Sequence, residues 1–106
     1  MDEPIYMLNA LWFKPDGGKE KYLEYAAAFA PLLKSIGGKV AKNFTPEETL
    51  IGEPGWDPDV FFVVMYPNQA ALESMATGPG YEDIKHIREE ALDKSLLIRC
   101  RPMQWM

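Results

Sequence analysis

The chain has one cysteine and one histidine, Cys100 and His86, and that scarcity narrows its chemistry first. A single thiol cannot close an intrachain disulfide, which suits a reducing compartment. A zinc site of the usual ligand set would have to recruit carboxylates or a second subunit. There is no Gly-rich phosphate loop, no Gly-x-Ser-x-Gly elbow, and no His-x-Glu or Cys-x-x-Cys metal pattern. Nucleotide-dependent chemistry and hydrolysis by a Ser-His-Asp triad are therefore poor fits, and no motif asks for a cofactor.

Positive charge is also short. Lys and Arg number 11 against 16 Asp and Glu, a net charge of −5, whereas a protein that tracks nucleic-acid phosphates needs a basic face. The longest fully apolar run, Val60 to Tyr66, falls far below the roughly 18 residues of a membrane span. The start, Met1-Asp2-Glu3-Pro4, is acidic where a secretory signal would be basic. These features predict a soluble, cytoplasmic protein with neither nucleic acid nor membrane as partner.

What remains is an ordinary globular composition, 47% hydrophobic and 25% charged, over 106 residues. That length predicts a single domain spanning residues 1–106. Ile5 to Phe13 reads as a strand, stopped by Pro15-Asp16-Gly17-Gly18. From Lys19 to Ile36, Tyr22, Ala26, Phe29, Leu33 and Ile36 fall on one helical face, and Gly37-Gly38 supplies a left-handed end. Pro31 lies inside this pattern, which predicts a kink or break near Ala30. Lys39–Phe44 and Thr49–Glu53 read as short strands, Glu53 to Pro58 as a loop, and Val60–Tyr66 as a strand ended by Pro67. Asn68 is placed to cap a helix from Gln69, interrupted at Gly78-Pro79-Gly80 and resuming from Tyr81 to about Lys94. Leu96–Arg101 reads as the last strand.

The order β-α-β-β-α-β is a split βαβ arrangement, an α+β fold of the ferredoxin-like kind. Right-handed crossovers put both helices on one face of an antiparallel sheet. Yet the first and third strands are apolar on both faces. Ile5, Met7, Leu11 and Phe13 stand back to back with Tyr6, Leu8, Ala10 and Trp12, and a half-exposed sheet would alternate with polar residues. A second copy of the chain is the simplest cover, so a homodimer is expected.

Several features, taken together, resemble the bacterial family called domain of unknown function 1330, within the dimeric α/β-barrel superfamily. They are Tyr22 and Tyr25, Pro31, Gly37-Gly38, Trp56-x-Pro58, Tyr66-Pro67, and Gly78-Pro79-Gly80-Tyr81 followed by Arg88. Gly78 stands where the family tends to have Ser, and Asp59 and Met65 occupy positions more often basic and acidic. The resemblance implies a ferredoxin-like monomer that pairs sheet to sheet, and no established activity.

Few residues offer chemistry. Asn9 is the only polar residue between Ile5 and Phe13, and it is either a ligand donor or a satisfied core amide. Arg88 falls on the apolar face of the last helix, where an always-charged guanidinium must meet an anion, pair with an internal carboxylate or reach water. Tyr81 shares that face. His86 points the other way, among Glu89, Glu90 and Asp93. Trp56, in a Pro- and Gly-bounded loop, suits either a pocket rim or an anchor against the partner. Arg99 and Arg101 read as edge charges that guard against aggregation, and Cys100 as a small core residue.

The leading expectation is a homodimer with an apolar pocket between helices and sheet for a small aromatic or carboxylate-bearing molecule. Asn9, Tyr81, Arg88 and Trp56 would contact that ligand, and any catalysis would run without a cofactor. Two alternatives stand beside it. One is a purely structural dimer. The other is a haem-degrading or antibiotic-biosynthesis-type monooxygenase of the same superfamily. For the haem enzymes, the resemblance implies an Asn where Asn9 stands, a Trp where this chain has Met75, and an axial His near His86.

Overall fold

The computed structural model describes residues 3–104. In chain order the elements are β1 (Ile5–Phe13), α1 (Gly18–Ser35), β2 (Lys39–Phe44), β3 (Val60–Tyr66), α2 (Gln69–Ala76), α3 (Pro79–Glu82), α4 (Lys85–Ala91) and β4 (Leu92–Cys100). The strands form one antiparallel sheet in the order β2-β3-β1-β4. The α+β, ferredoxin-like arrangement expected from the sequence is therefore present.

Local chemistry explains the boundaries. Asn68 accepts a hydrogen bond from the Ala71 N–H at 2.8 Å and starts α2, satisfying a donor that a helix N-terminus leaves open. Beyond α1, Gly37 takes a φ of +80°, and the N–H groups of Gly37 and Gly38 return to the carbonyls of Lys34 and Leu33. That pattern closes a helix through a left-handed residue.

Four expectations need correction. First, the break allowed near Ala30 does not occur, and α1 runs as one helix through Pro31. Proline removes one backbone bond, but Phe29, Leu32 and Leu33 around it are held in the core. Second, Thr49–Glu53 forms no strand and lies in the irregular connection between β2 and β3. Pro46 and Pro54 bracket that segment, and β2 already pairs with the free edge of β3.

Third, the last helix ends at Ala91 rather than near Lys94. Leu92 is buried beside Leu11, and Lys94 already pairs with Trp12 across the ladder. Helical periodicity continued through Lys94, but sheet pairing takes those residues. Fourth, Cys100 is exposed instead of buried in the core, because it ends β4 opposite Tyr6 on the face away from the helices. Arg101 lies just past that strand and so shares no strand face with Arg99.

The core fills the helix side of the sheet in two clusters. Ile5, Leu33, Val64, Tyr66 and Met75 make one, and Leu11, Tyr22, Tyr25, Ala91 and Leu92 make the other. On the opposite side, Leu8 stands between Val63 and Ile98, and Ala10 between Phe61 and Leu96. No element among the described residues covers them: Leu96 is 48% and Ile98 44% exposed. The molecule measures only 16 Å along its shortest axis, the thickness of one sheet with one helical layer.

Candidate functional site

A cavity of about 880 Å³ opens between α1 and the sheet. Its floor is the helix side of β1 and β3, where alternation brings Met7, Asn9, Phe62 and Val64 inward. Its roof comes from α1, whose Tyr22, Tyr25 and Phe29 recur at helical spacing, and from Tyr81 and Arg88 beyond α2. The size sits in the range of roughly 300–1,000 Å³ typical of sites that enclose a whole small organic molecule.

The aromatic wall is continuous. Tyr25 stacks on Phe29 with centroids 5.6 Å apart, and Tyr81 meets both edge-on at 6.4 and 6.2 Å. Tyr25 donates a long hydrogen bond, 3.4 Å, to the Tyr81 hydroxyl oxygen. Burial pushes the Tyr22 phenol up to about 12, against the opposing pull of the Arg88 charge. Burial likewise raises Tyr66 to about 12 and holds Tyr25 well above its ordinary value. At neutral pH these groups are therefore neutral hydroxyls able to donate a hydrogen bond.

Arg88 supplies the charge. Its Nη2 is buried and has no hydrogen-bond partner among the described residues. A buried donor left unmatched costs about 1–3 kcal/mol, and more when charged. The charges around the cavity have one predominant sign. Lys19, Lys34, Lys39 and Arg88 line it, and Asp59 is its only acid among the described residues. That carboxylate already accepts the Phe13 N–H at 2.8 Å. A chain of net charge −5 thus presents a cationic lining here.

The structure brings three of the four sequence-derived candidates together. Asn9, Tyr81 and Arg88 all line the cavity. Asn9 is 7% exposed, and its Nδ2 donates to the Met7 carbonyl at 3.2 Å. Trp56 is not with them. It is 67% exposed and lies in a second depression with Trp12, Lys94 and Leu96, on the uncovered side of the sheet.

His86 is exposed, as its place on the helical wheel predicts, and does not line the cavity. Arg99 donates to the Gln69 side-chain oxygen at 2.7 Å. Sequence reasoning left the α1 wall of the site, Tyr22, Tyr25 and Phe29, out of the candidates. Its signal was present, since Tyr22, Tyr25 and Phe29 step by three and four along one helix.

No helix among the described residues is long and apolar enough to cross a membrane. None of their acidic, histidine and cysteine side chains cluster in a way that would hold a metal ion.

Sheet order, crossovers and cavity position define a ferredoxin-like protein with its recess between helices and sheet. Residues 17–99 match the family described as domain of unknown function DUF1330, and the chain belongs to that family. It is 32% identical to a protein of unknown function from Rhodopseudomonas palustris, over 98% of this chain and 85% of that one, with a TM-score of 0.89.

More distant structures share the fold. A dimeric ferredoxin-like protein of unknown function from Jannaschia sp. CCS1 is 16% identical, covering 93% of this chain and 99% of that chain at a TM-score of 0.71. A Bacteroides thetaiotaomicron protein classed by name with the antibiotic biosynthesis monooxygenases is also 16% identical, covering 96% and 91% at 0.69. No curated protein matches the chain.

Proposed function

We propose that this chain is a single-domain, cytoplasmic homodimer in which each subunit binds one small carboxylate-bearing, largely apolar molecule between helices and sheet. The observation that carries the reading is Arg88. A guanidinium nitrogen is buried on the cavity wall without an acceptor, and a ligand carboxylate would satisfy it in the geometry guanidinium favours. The aromatic wall takes the ligand's apolar body, and Asn9 and Tyr81 add polar contacts. The lysines at the cavity edge favour arrival of an anion.

Dimerisation is supported by the uncovered apolar sheet face and by the dimeric relative of the same fold. Trp56 anchors this interface beside Trp12, whose indole nitrogen is buried without a partner among the described residues. The free thiol of Cys100 fits a reducing cytoplasm.

Thermal shifts across a panel of aromatic and aliphatic acids, each paired with its neutral amide, test the ligand reading. An acid at 100 times its dissociation constant adds about 2.7 kcal/mol to folding stability. Acids are expected to raise the melting temperature of the wild type. Arg88→Met should weaken them at least about tenfold. If no acid shifts the wild type, or if Arg88→Met responds equally, the chain is a structural dimer without this ligand.

A further inference from the structure

The Tyr25–Tyr81 contact joins the α1 wall to the cavity hydroxyl nearest in kind to a ligand donor, and it specifies the ligand further. A phenol has one proton to donate and lone pairs to accept. Tyr25 is 5% exposed, stacked on Phe29 and tilted against Tyr22 with centroids 5.3 Å apart, so its ring has little freedom to turn. Held this way, its hydroxyl lies 3.4 Å from that of Tyr81 and can give it its proton. With the Tyr81 oxygen accepting from Tyr25, its own proton is left for an acceptor in the cavity that Tyr81 lines together with Arg88.

We propose that the Tyr81 hydroxyl and Arg88 Nη2 form a two-donor clamp for one carboxylate of an extended, mostly apolar monoacid, with Tyr25 as the residue that aims Tyr81. This rests on the ligand reading above and adds the anion's shape, the size of its body and a positioning residue. Two donors lining one cavity, one charged and one neutral, can match the two oxygens of a planar carboxylate. Along the roof the cavity reaches from Lys19 to Lys34, about 22 Å of helix at 1.5 Å per residue. A single-ring acid would leave most of that apolar length unfilled.

Calorimetric titration of the full chain with 2-naphthoate, its neutral counterpart 2-naphthamide, and benzoate tests the clamp. The expected order for the wild type is naphthoate tightest, with benzoate at least about tenfold weaker because less apolar surface is covered. Tyr81→Phe, which deletes the second donor, should weaken naphthoate about tenfold, as loss of a bond to a charged group does. Tyr25→Phe should weaken naphthoate about fivefold and leave naphthamide nearly unchanged, narrowing the preference for the charged ligand. A merely structural role for Tyr25 would weaken both ligands together, and that result overturns the positioning claim.

Melting temperatures identify a variant that fails to fold. If Tyr25→Phe does so, the Tyr81→Phe discrimination decides alone. If Arg88→Met abolishes naphthoate binding while both tyrosine variants keep wild-type affinity, the clamp fails and the Arg88 reading stands. If the wild type binds benzoate as tightly as naphthoate, the extended body is wrong. If it binds neither acid, both the clamp and the ligand reading fall.

Discussion

Gly18 and Ala91 meet so closely that a Cβ on Gly18 would stand 2.6 Å from the Ala91 carbonyl oxygen. The contact wedges the start of α1 against the end of α4, and it thereby holds Arg88 beside Tyr22. The carbonyl cannot move away freely, because it accepts the Lys14 N–H at 3.0 Å. Gly18→Ala should therefore destabilise the fold by about 1–3 kcal/mol, the usual cost of overpacking. Chemical denaturation measures it, and an unchanged midpoint would show that the two helices are free to separate.

The uncovered sheet face predicts association. Light scattering at micromolar concentration should give twice the 12.0 kDa chain mass. Leu96→Glu or Trp12→Glu should dissociate the dimer or prevent folding, since a buried unpaired charge costs several kcal/mol. A wild-type monomer, or a Leu96→Glu protein that stays dimeric, would place the interface elsewhere.

Arg88→Met separates binding from stability. The substitution keeps an apolar stem of similar length and removes a buried donor that has no acceptor. The unliganded variant should melt at or above the wild-type temperature, with a gain of up to about 1–3 kcal/mol. A marked loss of stability would mean that the guanidinium is bonded inside the protein and is not available to a ligand.

Alkaline pH should unfold the protein through its buried phenols. Tyr22 and Tyr66 stay protonated up to about 12 when folded, against 10.0 for a free side chain. Between those values the unfolded chain loses protons that the folded one retains, so stability falls as pH rises. Melting temperature should hold steady below about pH 10 and drop between 10 and 12, and Tyr66→Phe, which keeps the ring and removes one such group, should make the drop shallower. An identical profile for Tyr66→Phe would contradict the burial of its hydroxyl.

Most of the fold was legible because dense aromatic and aliphatic runs bounded by proline or glycine, and a long helical stripe, are strong local signals. Ile5–Phe13 and Val60–Tyr66 became strands at the expected bounds, and Asn68 capped its helix through the side chain expected to do so. The misreadings fall where a local pattern competes with a distant partner. Residues 92–94 carry on a helical rhythm, yet Leu92 is drawn into the Leu11 cluster and β4 begins early.

The candidate site was legible in part. An arginine on an apolar helical face is visible in one dimension, and so is an asparagine in an apolar strand. That Tyr25 would lean on Tyr81, 56 residues away, is a tertiary fact. So is the separation of Trp56 from the others, since loop composition does not reveal which side of the sheet a loop approaches.

Crystals of the protein grown with 2-naphthoate would show both the dimer and the bound acid. Two chains are expected, packed through their open sheet faces. Each cavity is expected to hold one acid, its carboxylate within hydrogen-bond distance of Arg88 Nη2 and the Tyr81 hydroxyl and its rings against Tyr25 and Phe29. Arg88 bonded to a protein carboxylate, with the space beside it closed, would overturn this mode of binding.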